Sequence, residues 1–179
     1  MKIFHNKLEL IEHLNQLRKL GLSIGFVPTM GALHNGHLSL LKKSFSNNKV
    51  SVVSIFINPT QFNNSSDLST YPNNLKEDCS LLKNISEEIL VFAPNSKEIY
   101  GNKMYMKSYD FKGLDKFMEG EFRNNHFQGV ATVVELLLDI VKPDRAYFGE
   151  KDFQQLQIIK SLKTNIKIIG CKTQREKSG

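Results

Sequence analysis

The sequence contains only two cysteines among its 179 residues. Cys79 and Cys171 are far apart, and neither has a neighbouring Cys or His at the spacing that metal ligands require. This pattern excludes a disulfide framework and gives no basis for a zinc site. We interpret both cysteines as ordinary small apolar residues.

The sequence also lacks any long hydrophobic run. Residues 1–11 alternate charged and apolar side chains, whereas a secretory signal has an uninterrupted apolar core, and no stretch approaches a membrane-spanning length. We therefore expect a cytoplasmic protein that binds no membrane. With 40% hydrophobic residues, the chain is long enough for one well-buried domain and too short for two of comfortable size.

The formal net charge of +6 raises the question of nucleic-acid binding. The lysines are scattered, with only short doublets such as Lys42-Lys43, and no basic stripe is interleaved with aromatic residues. We therefore expect no nucleic-acid partner. A modest positive charge also attracts anionic substrates, although net charge alone does not separate that role from solubility.

Hydrophobic periodicity predicts an alternation of strands and helices. The predicted strands span residues 23–27, 50–57, 89–92, 145–148 and 166–170, and the predicted helices span residues 7–20, 37–43, 74–83, 114–121, 126–141 and 153–162. Asn6 is the expected N-cap of the first helix, residues 102–111 are an expected extended excursion, and residues 63–69 an expected mobile loop. The alternation predicts an α/β fold, with a Rossmann-like, mainly parallel sheet and helices on both faces.

Ligands bind such sheets beyond the carboxyl ends of the strands, where the loops between strands and helices gather. One of these loops contains the strongest motif, Pro28-Thr-Met-Gly-Ala-Leu-His-Asn-Gly-His37. Its glycines allow the backbone to approach a ligand closely, and His34 and His37 stand three residues apart at a helix entrance that favours phosphate. The alternatives are a histidine that caps the helix or a pair of metal ligands, but a zinc site would require a third ligand.

Two further loops carry polar residues after predicted strands. Gln61 offers both a donor and an acceptor, which suits a substrate with hydroxyl and carboxylate groups, but an amide that caps its own loop is the more common arrangement. In Gly149-Glu-Lys-Asp152, Lys151 could place a point charge on a phosphate, although an exposed lysine on a turn is usually only solvated.

Residues 28–37 resemble the HIGH-type signature of the nucleotidyltransferase superfamily, and in their full length they resemble the pantothenate synthetase family. Further segments extend the resemblance in order across nearly the whole chain: Phe56–Phe62, Tyr71-Pro72 with Glu77-Asp78, Val91–Pro94, Met118–Gly120, His126–Val130 and Phe148–Gln155. Chance agreement of so many ordered segments is very improbable.

The resemblance implies a two-step ligase reaction in which pantoate and ATP form pantoyl adenylate, and β-alanine then displaces AMP. It implies catalytic roles for His34, His37 and Lys151, and Mg²⁺ as the companion of ATP. The residues implied to contact ATP are Met30, Gly31, Ala32, Leu33, His34, Asn35, Gly36, His37, Gly149, Glu150, Lys151 and Asp152. Those implied to contact pantoate or β-alanine are Gln61, Gln155, Met30 and Val130. A homodimer is the family's usual assembly.

The sequence leaves the roles of several residues undecided. Arg123 and His126 are either parts of the site or a surface ion pair and a helix cap, and Met30 and Val130 suit a core position equally well. Glu77 and Asp78 are expected to face solvent, as adjacent carboxylates on a helix usually do.

The chain also departs from the family in two places. The Pro-Gly that is frequent between the positions matching Arg123 and His126 is missing, and residues 173–179 resemble only the beginning of a segment that in the family leads to a C-terminal lid domain. The rival interpretations are an adenylyltransferase that acts on a phosphorylated acceptor, and a module that binds nucleotide without catalysis.

Overall fold

The computed structural model describes residues 1–175. Its strands are β1 (Lys2–Phe4), β2 (Ile24–Thr29), β3 (Val50–Ile55), β4 (Leu90–Phe92), β5 (Arg145–Gly149) and β6 (Lys167–Cys171). Its helices are α1 (Lys7–Lys19), α2 (Asn35–Asn47), α3 (Ser65–Thr70), α4 (Leu75–Lys83), α5 (Ser96–Tyr100), α6 (Glu119–Phe122), α7 (His126–Val141) and α8 (Phe153–Ser161). Two short 3-10 turns span Pro59–Gln61 and Glu150–Asp152. In this part of the chain, no helix has the length and apolar character needed to cross a membrane.

The six strands form one sheet in the order β1-β4-β3-β2-β5-β6. Every neighbouring pair is parallel, and β2 lies between β3 and β5. The predicted α/β fold with a parallel sheet is therefore confirmed. Parallel pairing places the carboxyl ends of all six strands at the same edge of the sheet.

Side chains on successive strand residues point to opposite faces, so the sheet separates two apolar clusters. On β2, Phe26 belongs to the larger cluster with α1, α7 and α8, and Val27 belongs to the smaller cluster with α2 and α4. On β5, Phe148 and Tyr147 divide between the clusters in the same way. Helices therefore cover both faces, as the continuous apolar runs of the central strands predict.

The cap of α1 is where the sequence predicts it. The Asn6 side chain accepts hydrogen bonds from the backbone N–H groups of Leu8 and Glu9, at 2.8 and 3.2 Å. These bonds satisfy two of the donors that a helix leaves free at its N-terminus. Leu10 and Leu14, on the inner face of α1, are buried against the sheet side of the domain.

Two expectations about local structure are wrong, and two short elements are not predicted. The segment 63–69, expected to be a loop, overlaps α3 (Ser65–Thr70), a helix that buries none of its residues. The helix expected over 114–121 is a series of turns that ends in the four-residue α6. The short elements β1 and α5 are present although the periodicity did not predict them, and α2 begins two residues before His37.

The turns at 114–119 depend on one buried amide from another part of the chain. The side-chain amide of Gln154 donates to the carbonyl oxygens of Leu114 and Phe117, and its oxygen accepts from the N–H of Glu119. Because these bonds occupy backbone groups that a helix would pair internally, the segment takes a turn conformation.

Candidate functional site

The loops that follow β2, β3 and β5 surround one cavity of about 280 Å³ at the carboxyl edge of the sheet. Ten of the residues assigned from the sequence line it: Met30, His34, Gly36, His37, Gln61, Val130, Gly149, Lys151, Asp152 and Gln155. The other five, which lie within the described part of the chain, are not among the lining residues: Gly31, Ala32, Leu33, Asn35 and Glu150. Residues 176–179, where the resemblance to the family's next segment continues, lie outside the described residues.

His34 caps helix α2 and also faces the cavity. Its Nδ1 accepts the backbone N–H of Gly36 at 3.1 Å. Because that nitrogen accepts, the proton of the neutral ring is on Nε2, which leaves Nε2 as a donor. The capping alternative and the ligand-binding hypothesis are therefore compatible for this residue.

His37 lies against His34, with 4.2 Å between the ring centroids. Burial, together with the neighbouring His34, lowers the pKa of His37 to about 4, although the carboxylates of Asp78 and Asp152 act in the opposite direction. Its Nδ1 is buried and has no hydrogen-bond partner within residues 1–175. The ring is therefore neutral near pH 7 and keeps unused hydrogen-bonding capacity beside the cavity.

Gln61 occupies the 3-10 turn after β3, and a neighbouring amide fixes its orientation. Asn58 Nδ2 donates to Gln61 Oε1 at 3.1 Å, and Gln61 Nε2 lies 2.8 Å from the sulfur of Met30. The amide oxygen is thus occupied within the protein, and the amide N–H groups are turned towards Met30 and the cavity. This polarity suits a ligand that presents oxygen acceptors, such as a carboxylate or a hydroxyl.

His126 holds the same turn from the side of α7. The ring is buried, and its Nδ1 lies 2.8 Å from the backbone oxygen of Gln61, so this nitrogen donates. Burial lowers the pKa of His126. Arg123, by contrast, forms an exposed ion pair with Glu119 at 3.0 Å. The surface alternative holds for Arg123, and His126 supports a site residue without lining the cavity.

Helix α7 approaches the turn at Gln61 so closely that only glycine fits at one position. A Cβ atom added at Gly129 would lie 2.5 Å from the backbone oxygen of Thr60. Val130, the next residue, lines the cavity together with Val133 and Val134. One wall of the cavity is therefore apolar and rests directly on backbone.

The cationic side of the cavity belongs to the turn after β5. Lys151 is exposed and lies 3.2 Å from the carboxylate of Asp152. An ion pair at such an exposed position contributes little to stability, so Lys151 can exchange Asp152 for a ligand phosphate at small cost. Gln155 lies one helical turn further on and also lines the cavity.

Sequence reasoning missed several residues that build or line the site. Asp78 is buried, contrary to the expectation that it faces solvent, and both of its carboxylate oxygens accept backbone N–H groups from the loop after β2. Its position three residues after Leu75, on the face of α4 that carries Cys79 and Leu82, was the available signal. Further lining residues without a predicted role are Asn58, Tyr71, Lys172, Thr173 and Gln174.

The architecture defines the class of protein first. It is a parallel α/β domain with a cavity at the carboxyl edge of its sheet. A glycine-containing loop and a histidine pair at a helix entrance face this cavity, which has both polar and apolar walls. The comparisons with known proteins then place it within that class. The profile of the pantoate-beta-alanine ligase family matches residues 2–179.

Similar proteins include a pantothenate synthetase of Christiangramia forsetii, 50% identical over 100% of this chain and 65% of its own length. The crystal structure of a pantoate-beta-alanine ligase from Francisella tularensis, complexed with beta-gamma ATP and beta-alanine, matches with a TM-score of 0.90 and 46% identity. That match covers 99% of this chain and 69% of that one. A pantothenate synthetase structure from Thermus thermophilus matches with a TM-score of 0.87 and 38% identity, over 100% of this chain and 64% of that one.

The chain belongs to the pantoate-beta-alanine ligase family. It spans 65% and 64% of the length of the first two curated relatives that it matches.

The lowered pKa of His37 predicts a pH dependence of stability. Because the pKa is about 4 in the folded state, against an ordinary value of 6.5 for histidine, the unfolded state binds the proton more tightly. The free energy of unfolding should therefore fall as the pH drops from about 6.5 to about 4, by up to roughly 3 kcal/mol from this residue. Urea unfolding at several pH values should show a smaller fall for His37→Asn than for the wild type. Equal slopes, or an NMR titration of the His37 ring near pH 6.5, would contradict the prediction.

Proposed function

We propose that the protein catalyses the ATP-dependent condensation of pantoate with β-alanine to give pantothenate, AMP and pyrophosphate. The observation that carries this proposal is the cavity that joins the histidine pair and Lys151 to the amides of Gln61 and Gln155. Family membership and the ligands of the Francisella tularensis structure support it.

In the first step, a carboxylate oxygen of pantoate attacks the α-phosphorus of ATP, a new P–O bond forms, and pyrophosphate leaves. In the second step, the amine of β-alanine attacks the acyl carbon, AMP leaves with the electron pair of the broken C–O bond, and the amine loses a proton. No covalent enzyme intermediate is needed. The protein's task is then to align the reactants and to stabilise charge on the phosphates.

The described residues divide these tasks between two sides of the cavity. Three groups donate hydrogen bonds to the phosphates: the Nε2–H of His34, the neutral ring of His37 and the ammonium of Lys151. The amides of Gln61 and Gln155 bind the hydroxy acid, while Val130 and the rest of the α7 wall contact its apolar part. We propose that the remaining loop residues also contact ATP, but less directly, because they flank the lining residues. They are Gly31, Ala32, Leu33, Asn35 and Glu150.

We propose Mg²⁺ as the ion that accompanies ATP. Within residues 1–175, no three His, Cys, Asp or Glu side chains form a group that could hold a metal ion. Mg²⁺ commonly keeps several waters and is held by substrate phosphates with few protein ligands, which agrees with this absence of a cage. The ion would neutralise phosphate charge.

Isotope exchange tests the function. The protein as its gene encodes it should exchange labelled pyrophosphate into ATP only when pantoate is present, because the adenylate must form before the reaction can reverse. Exchange without pantoate, or only with a phosphorylated acceptor, would favour the adenylyltransferase. We further propose that residues 1–179 form the N-terminal ATP- and pantoate-binding part of a longer enzyme whose C-terminal domain closes the site, so these residues alone should exchange more slowly.

His37→Ala removes one donor directed at the phosphates. Loss of such a donor typically costs about 3 to 4 kcal/mol in the barrier, which corresponds to a fall in pyrophosphate release of at least about a hundredfold. His5→Ala is the matched control, because this exposed histidine contacts the backbone oxygen of Ala93 and does not line the cavity. Turnover of His37→Ala close to that of the control would refute the assignment.

We propose a homodimer in the cytoplasm, where ATP is available. Exposed apolar side chains in α6 and in the turn before it support the dimer: Phe117, Met118 and Phe122 are 67%, 63% and 81% exposed. Sedimentation equilibrium should give twice the monomer mass for the wild type and a shift towards monomer for Phe122→Glu. Leu20→Glu, at an exposed leucine just after α1 and outside this patch, should leave the mass unchanged. A monomeric wild type would end this proposal.

A further inference from the structure

The loop between β2 and α2 is held from outside by one buried carboxylate. Asp78 Oδ1 accepts the N–H of Leu33 at 2.7 Å, and Asp78 Oδ2 accepts the N–H of Ala32 at 3.1 Å. Asp78 is 3% exposed and lies on α4, a different element from the loop. Hydrogen bonds to a buried charged group are stronger than those between neutral groups, so this clamp is a substantial constraint on the loop.

The two hydrogen bonds to Asp78 hold a stretch of backbone that has an unfavourable conformation. Ala32 has φ of 50°, a left-handed conformation that costs an alanine free energy, and Gly31 has φ of 85°. A Cβ atom at Gly31 would lie 2.9 Å from Asp78 Oδ2, so the carboxylate also fills the space that glycine leaves. Such a conformation is retained when the surrounding structure holds it in place. Asp78 does so here by accepting the N–H groups of Ala32 and Leu33.

The position of Asp78 is itself fixed by the start of α4. The Asn74 side chain accepts the N–H of Glu77 at 3.3 Å and donates to the Glu77 carboxylate at 3.0 Å. This reciprocal cap sets the first turn of the helix. Cys79 and Leu82 are buried in the same helix, so Asp78 cannot leave the loop without disturbing their packing.

We infer that Asp78 is a positioning residue for the phosphate chemistry: it holds Ala32 and Leu33 so that His34 and His37 face the ATP side of the cavity. This inference rests on the proposed function. Because Asp78 binds the loop immediately before the His34 cap, a change in its two bonds is transmitted directly to the start of α2. Small displacements of aligned groups are costly, and about 1 Å can reduce a rate by roughly a hundredfold.

Asp78→Asn tests the inference, since an asparagine of the same shape can accept only one of the two N–H groups. In the protein as its gene encodes it, kcat/KM for ATP should fall by about tenfold to a hundredfold. The KM for pantoate should change much less, because Gln61 and Gln155 belong to other elements and only Met30 shares the clamped loop. Equal losses of kcat/KM for ATP and for pantoate, together with a lower melting temperature, would indicate a general loss of structure and would overturn the positioning role.

Glu77→Gln is the matched control, because it removes the neighbouring exposed carboxylate, which does not contact the loop, while the glutamine oxygen can still accept the hydrogen bond from Asn74 Nδ2 that caps α4. It should leave all kinetic constants close to wild type. If both variants lose activity and both recover at higher Mg²⁺, the carboxylates bind an ion together and the positioning role is overturned. Wild-type kinetics in Asp78→Asn would overturn it as well.

Amide hydrogen exchange keeps the inference testable without activity. The N–H groups of Ala32 and Leu33 should exchange much faster in Asp78→Asn than in the wild type, while those in the centre of α4 stay protected. Unchanged protection of these two amides would overturn the inference. Failure of the wild type to exchange pyrophosphate with pantoate would reject the proposed function and leave this measurement of the clamp intact.

Discussion

The pairing of β2 with β3 on one side and β5 on the other is the constraint on which the site depends. All three strands run in the same direction, with Thr29 opposite Ile55 and Gly25 opposite Arg145. The segments that follow them therefore emerge side by side, although they are separated by many residues along the chain. The histidine pair, the Gln61 turn and the Lys151 turn meet at one cavity because their strands are neighbours.

The sequence predicts those elements whose own residues decide their conformation. Helix α7 has a long apolar face and α1 has both a cap and a periodic face, so both were found. Helix α3 buries no residue and thus leaves no periodic signal, whereas the 114–119 turns depend on the amide of Gln154, which is distant in sequence. Elements of this second kind become visible only when the tertiary contacts are known.

The same distinction applies to the site. The loop with His34 and His37 carries a recognisable motif within ten residues. Gln61 and Lys151 follow strands that the hydrophobic periodicity identifies. The periodicity of α4 indicates that Asp78 is buried, but the roles of Asp78 and His126 could not be assigned, because they consist of bonds to the backbone of other segments. Neither lines the cavity, yet each holds a segment that does. Their side chains resemble ordinary surface or cap residues until the partner segments are placed beside them.

The contact between Gly129 and the backbone of Thr60 has a consequence for ligand selection. Two main chains meet there without an intervening side chain, so α7, which carries Val130 on the cavity wall, cannot move closer to the Gln61 turn to make room for a larger ligand. A pocket bounded in this way discriminates by size more sharply on its rigid side than on the side formed by Lys151 and Gln155, whose long side chains can rearrange. A ligand with a bulkier carbon skeleton would therefore meet more resistance at the α7 wall than at the opposite side of the cavity.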